Sequence, residues 1–224
     1  PTEINFRANL FALKKLGVQA VLSVSAVGSL SEEVKPGDLA LPSQYIDFTR
    51  GGRINTFFGK GLVAHVSTAD PVCLDFSKWI IDSARSAEIH LHTGLTYAGV
   101  EGPRLGTRAE SNFFRQASCG LVGMTNVPEA YLAREAQLAY ASVCIATDYD
   151  CWMEDPSMHA QVDKIMSLYA ANIARVKALL FSLAGQPFPE TTNWASRQSL
   201  RFAVLTNREA LADDQRTLLS ILEK

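Results

Sequence analysis

The chain has 224 residues, 47% hydrophobic and 20% charged, with 21 Lys plus Arg against 23 Asp plus Glu and a net charge of −2. That near-balance argues against a general polyanion or anionic-surface binder, so neither a nucleic acid nor a membrane partner is expected. No apolar run approaches the ~18 residues of a bilayer-spanning helix, and "PTEINFRANL" lacks the pattern of a secretory leader. No linker divides the chain, so one domain over residues 1–224 is expected. It starts on Pro rather than Met, which reads as a processed or incomplete product.

"INFRANLFALKKLG" spaces Ile4, Phe6, Leu10, Leu13 and Leu16 as on a helix and stops at Gly17. "VQAVLSVSAVGSL" then reads as a buried strand that runs into a small-residue turn at Ala26 to Ser29. After the "KPGD" turn, "LALPSQYIDF" is a second strand; residues 74 to 87 form an amphipathic helix, and "HLHTGLTYAGV" a third strand. "TRAE", from Thr107, is a capping box opening a helix to about Ala117. "CGLVGMT" is a short strand, and Pro128 suits the first residue of a helix reaching residue 138. A buried strand from Ala139 leads into "IATDYDCW"; a long helix follows from Ser157 to Gly185, and a last one spans 207 to 222. Strands alternating with helices predict an α/β fold of three layers, with a mixed, mainly parallel central sheet flanked by helices.

Cys73, Cys119, Cys144 and Cys151 show no paired spacing, and a chain with a large core needs no disulfide, so reduced thiols and a cytoplasmic location are expected. His65, His90, His92 and His159 lack metal-ligand spacing, and no metal site is expected.

Three predicted strand ends carry chemistry. Ser25-Ala26 and Met124-Thr125 place hydroxyls beside turn amides, a way to hold phosphate, although caps of the next elements would look the same. Asp148 and Asp150 share a face if the strand continues, and their repulsion would raise the pKa of one. Such a pair suits an amino-purine edge; a solvated helix-capping turn is the plainer alternative. Ligands of parallel sheets gather beyond strand ends, so the three pairs are expected to share one crevice.

"INFRANLFALKKLG", "AVGSL", "EGPRLGTRAE", "GMTNVPEAYLAREAQLAYA" and "IATDYDCW" together, in this order, resemble the methylthioadenosine phosphorylases of the trimeric purine nucleoside phosphorylase superfamily. The resemblance implies phosphorolysis of 5′-methylthioadenosine to adenine and 5-methylthioribose 1-phosphate, with inorganic phosphate as co-substrate, no cofactor, and a homotrimer. By matching positions, it implies phosphate binding at Ser25, Ala26 and Thr125 and a ribose contact at Met124. Asp148 would meet the purine N7 and Asp150 the exocyclic amine. Val162, Ile165 and Leu205 would form the methylthio pocket, and His65 would reach a neighbouring subunit's site. Relatives that use 6-oxopurines carry Asn at the position of Asp148 and Glu at that of Gly106, so adenine is the expected base. Leu105 stands where a Phe commonly packs on the purine. The family's first strands, its Gly-rich phosphate loop and an Arg-His pair match nothing in this sequence. Two alternatives stay open: phosphorolysis of another purine nucleoside, and a truncated, inactive chain that binds purine or oligomerises.

Overall fold

The computed structural model describes residues 1–155 and 161–224, and there five strands are interleaved with helices. Helix α1 (Phe6–Lys15) begins at Asn5, whose side-chain oxygen accepts the Ala8 N–H, and ends on Lys14 and Lys15, which suit the negative end of the helix dipole. The strands are β1 (Ala20–Ser29), β2 (Leu39–Asp47), β3 (Leu91–Gly99), β4 (Leu121–Gly123) and β5 (Ala139–Asp148). The remaining helices are α2 (Leu74–Ser86), α3 (Arg108–Gln116), α4 (Asn126–Glu135), α5 (Val162–Ala184) and α6 (Asp213–Leu222). The capping box before α3 forms as expected: Thr107 Oγ1 accepts the Glu110 N–H, and Glu110 Oε2 accepts the Thr107 N–H.

The strands close in the order β1-β4-β3-β2-β5 and back to β1. Pairs β1/β5, β2/β3 and β3/β4 are parallel, while β1/β4 and β2/β5 are antiparallel, so the sheet is mixed and mainly parallel. The mixed, mainly parallel central sheet flanked by helices is as expected, and it curls until it closes on itself. Strand twist supplies the curvature, and register shifts at Val27/Gly28 in β1 and around Pro42 in β2 sharpen it.

β5 is the axis of the molecule, buried along all 10 residues. Its period-two alternation sends Tyr140, Cys144 and Ala146 into a core shared with α1 and α4. Ala139, Ala141, Val143 and Ile145 turn the other way, onto Phe76 and Ile80 of α2 and Val176 and Leu179 of α5. Each fully buried Val or Ile there contributes roughly 1.5–3 kcal/mol.

Several boundaries differ from the sequence reading. β1 runs on to Ser29, so Ser25 and Ala26 lie inside a strand and not in a turn after it; small residues were mistaken for turn residues where they serve a bulge. α4 begins two residues before Pro128, with Val127 kept non-helical (φ −117°, ψ 125°). The last helix starts at Asp213, because Asn207 caps only a short 3₁₀ turn, Arg208–Ala210. The predicted helix from Ser157 is seen from Val162; residues 156–160, His159 among them, lie outside the described residues. At 23 residues α5 is, by length and composition, apolar enough to cross a bilayer, unlike the expectation that no such run exists, yet Asn172, Val176, Leu179 and Leu183 are buried against the rest of the fold.

Candidate active site

Curling of the sheet turns the middle of β1, the end of β5 and the exits of β2, β3 and β4 toward one cavity of about 910 Å³. Ser25, Ala26, Leu105, Met124, Thr125, Asp148, Asp150 and Ile165 all line it. His65, Val162 and Leu205 do not.

The acidic end is built from β5 and the turn after it. Asp148 Oδ2 accepts the Thr147 hydroxyl at 2.8 Å, and Oδ1 accepts the Asp150 N–H at 2.7 Å. Burial pushes the Asp148 carboxyl above the ordinary carboxylate range, and the Asp150 charge adds to this against the two hydrogen bonds. Burial pushes Asp150 up as well. Asp150 sits at φ 51°, the left-handed region that Asp tolerates better than most residues, and this turns the chain so that both acids face the cavity.

Trp152 explains how so short a turn is held. Its Nε1–H donates to the Ser29 carbonyl at 2.8 Å, and the Arg115 guanidinium lies 3.6 Å over its ring. The turn after β5 is thereby fastened to the end of β1. Glycines make room: a Cβ on Gly28 would stand 3.2 Å from Asp148 Oδ1 and 3.0 Å from Val122 Cγ1. A Cβ on Gly106 would lie 3.5 Å from Asp150 Oδ2.

The part formed by β1 and the β4 exit bears hydroxyls, and Glu101 and Arg50 also line the cavity. Ser25 Oγ donates to Asn126 Oδ1 at 3.3 Å and neighbours the buried Cys144 thiol, while Ala26 beside it is exposed to the cavity. Thr125, at the N-terminus of α4, directs its backbone N–H to the Tyr97 hydroxyl at 3.4 Å. Burial raises the Tyr97 phenol well above its ordinary value, a direction that keeps the hydroxyl neutral. Asn126 links this end to Tyr45.

Between the ends runs an apolar wall that the sequence reading missed. Phe48 follows β2, and its ring packs 5.8 Å from that of Phe113 and 4.8 Å from that of Phe114, centroid to centroid. All three line the cavity near Leu105. The signal available was their position, one at a strand exit and two on the helix opened by the capping box. The Arg104–Glu110 ion pair also borders the cavity and holds the Glu110 carboxyl at about 2.

His65 and Leu205 lie side by side elsewhere, where Ala64 bridges Val204 and the His65 N–H donates to the Ala203 carbonyl. Both are exposed, as is Val162 at 68%. Within one chain the apolar trio of Val162, Ile165 and Leu205 is therefore not assembled; only Ile165 reaches the cavity, where Met166 and Tyr169 of α5 join it. All four cysteines carry free thiols, and no cluster of metal-ligating side chains occurs among the described residues.

The phosphorylase superfamily model matches residues 1–182. S-methyl-5′-thioadenosine phosphorylase of Geobacter sulfurreducens is 43% identical over 222 residues, covering 99% of this chain and 77% of that protein. The protein of the same name from Hyperthermus butylicus is 45% identical over 208 residues, 92% of this chain and 74% of the relative. A methylthioadenosine phosphorylase from an Antarctic soil metagenomic library superposes with a TM-score of 0.91 at 40% identity, covering 99% of this chain and 78% of that one. Methylthioadenosine phosphorylase from Schistosoma mansoni in complex with adenine superposes with a TM-score of 0.85 at 32% identity, over 92% and 79% of the two chains. A family match along most of the chain, together with relatives at this identity on the same fold, shows that the chain belongs to the phosphorylase superfamily, among its methylthioadenosine phosphorylases.

Proposed function

We propose that this chain is the catalytic body of an enzyme that cleaves 5′-methylthioadenosine with inorganic phosphate, giving adenine and 5-methylthioribose 1-phosphate. One observation carries the site assignment: a buried carboxyl pair and a set of hydroxyl- and amide-bearing residues line one largely apolar cavity. In phosphorolysis, positive charge grows on the sugar while negative charge gathers on the departing base, so a catalyst needs an acid at one end and an anion seat at the other.

Asp148 is assigned to the base. Its raised pKa suits a carboxyl that shares a proton with a purine ring nitrogen as the glycosidic bond breaks. Asp150 accepts from the exocyclic amine, an interaction that a 6-oxo group cannot offer. Leu105 and the Phe48–Phe113–Phe114 wall give the base an apolar face, and Met124 lies along the ribose. Phosphate is assigned to Ser25, the Ala26 amide and Thr125, below the sugar, with no metal and no cofactor. Ile165, with Met166 and Tyr169, forms this chain's share of the methylthio pocket.

The exposed His65, Leu205 and Val162 fit a cavity completed by a neighbouring copy in a homotrimer. Free thiols and balanced charge support a cytoplasmic enzyme without nucleic-acid or membrane partners. Adenine release measured on methylthioadenosine, adenosine and inosine, with and without phosphate, tests the reading. Release from methylthioadenosine that depends on phosphate is expected; release without phosphate, or preference for inosine, would refute it.

A further inference from the structure

Arg53 lies outside the cavity, in the loop leaving β2, and is almost fully buried, with its side chain 3% exposed. Its guanidinium meets five acceptors. Nε donates to Glu101 Oε1 at 2.9 Å. Nη1 donates to the carbonyls of Met124 and Val127, both at 2.6 Å. Nη2 donates to the carbonyls of Val100 at 3.3 Å and Glu101 at 2.6 Å. Arginine has five N–H donors in a fixed plane, so the fork is fully used. One face of the group is covered by the Phe6 ring at 5.5 Å.

These acceptors belong to the exits of β3 and β4, which run parallel to each other and to β2. Beyond a strand end the backbone has left its ladder, and Val127, being non-helical, cannot feed its carbonyl into α4 in the regular way. Buried carbonyls of this kind need donors, and Arg53 supplies them all at once. The two exits also interlock on the cavity side: a Cβ on Gly102, at φ 68°, would fall 2.4 Å from Met124 Sδ.

We infer that Arg53 is a positioning residue for the phosphate and ribose end of the site, an inference that rests on the function proposed above. In a trans peptide the C=O and N–H point opposite ways. With the Met124 carbonyl drawn back to Arg53, the Thr125 N–H is turned onto the Tyr97 hydroxyl, which fixes how Thr125 lines the cavity. The same bond fixes where the Met124 side chain lies relative to Glu101 and Gly102. Asp148 and Asp150 are not among the acceptors of Arg53, so the base end is independent of the clamp.

The test compares wild type with Arg53→Lys, which keeps the charge but offers three donors from one nitrogen and cannot span both strand exits. Phosphate and adenine affinities are measured by calorimetry, together with kcat and the KM for phosphate. The expected result is a loss in phosphate affinity and kcat of roughly tenfold to a hundredfold, the cost of a small misplacement, with adenine affinity within about twofold of wild type. Free guanidinium added to Arg53→Ala should restore part of the rate, which general damage to the fold would not allow. Equal losses for both ligands, or no change in either, would overturn the assignment. Should Arg53→Lys not fold, Glu101→Ala removes the acceptor of Nε, frees one arm and must give the same phosphate-selective pattern at smaller size; an unselective loss there also overturns it. If wild type fails to turn over methylthioadenosine, the proposed function falls while the two affinities still judge the clamp.

Discussion

The two ends of the cavity are built on opposite principles. At the β5 end, every strand residue is buried, the acids are packed against Thr147 and the Asp150 amide, and Trp152 fastens the turn. At the β1 and β4 end, Ala26 is exposed, and Ser25, Thr125 and Asn126 bring hydroxyls and amides. A proton-handling carboxyl benefits from low dielectric, which raises its pKa toward neutrality. An anion seat benefits from open backbone donors that a dianion can reach. On the proposed function, one curled sheet would thus serve two electrostatic tasks in one cavity.

Breaking the acidic end should have the largest effect. Asp148→Asn is expected to lower kcat/KM for methylthioadenosine by roughly a hundredfold to a thousandfold and to move preference toward 6-oxopurines. An unchanged rate in a steady-state assay would remove Asp148 from the chemistry. Removing one donor at the other end should cost less: Thr125→Val is expected to raise the KM for phosphate roughly tenfold while leaving adenine affinity as it was. Parallel losses for phosphate and adenine would dissolve the division between the ends. Gly28→Ala tests the space between them, because its Cβ would press Asp148 Oδ1 and Val122 at 3.2 and 3.0 Å. A fall of a few-fold in kcat/KM, with adenine binding weakened more than phosphate binding, is expected from calorimetry beside kinetics.

The smallest effect concerns stability, and its sign opposes the activity loss. Folding raises the Asp148 pKa above its ordinary value of 3.8, so the ionised group costs stability above the folded pKa and nothing below the ordinary one. Asp148→Asn should therefore melt at a somewhat higher temperature than wild type at neutral pH. The difference should shrink as pH falls through the folded pKa toward 3.8. Melting curves showing a lower midpoint for the variant at neutral pH, or a gain that persists in acid, would contradict a buried, raised carboxyl.

Much of the fold could be read locally. Thr107 and Glu110 announced α3 because a capping box is satisfied by residues three apart. The apolar run from Ala139 announced β5, since a strand buried on both faces has no polar alternation. Ala26 to Ser29 read as a turn because small residues look alike in turns and at a bulge, and only pairing with β5 distinguishes the two. Phe48 offered only its place at a strand exit, and Arg53 gave no local signal. Their partners lie up to 66 and 74 residues away, on α3 and in the β4 exit.

Sequence alone determined the order and type of most elements, the acid pair and the family resemblance, because these depend on spacing along one stretch or on motifs in order. Tertiary structure alone decided that the sheet closes, that β1 passes its middle to the cavity, and that burial raises the Asp148 carboxyl above its ordinary range. It also decided that His65 and Leu205 stand together outside the cavity. Curvature, burial and convergence arise from contacts between distant segments, and no window of neighbouring residues contains them.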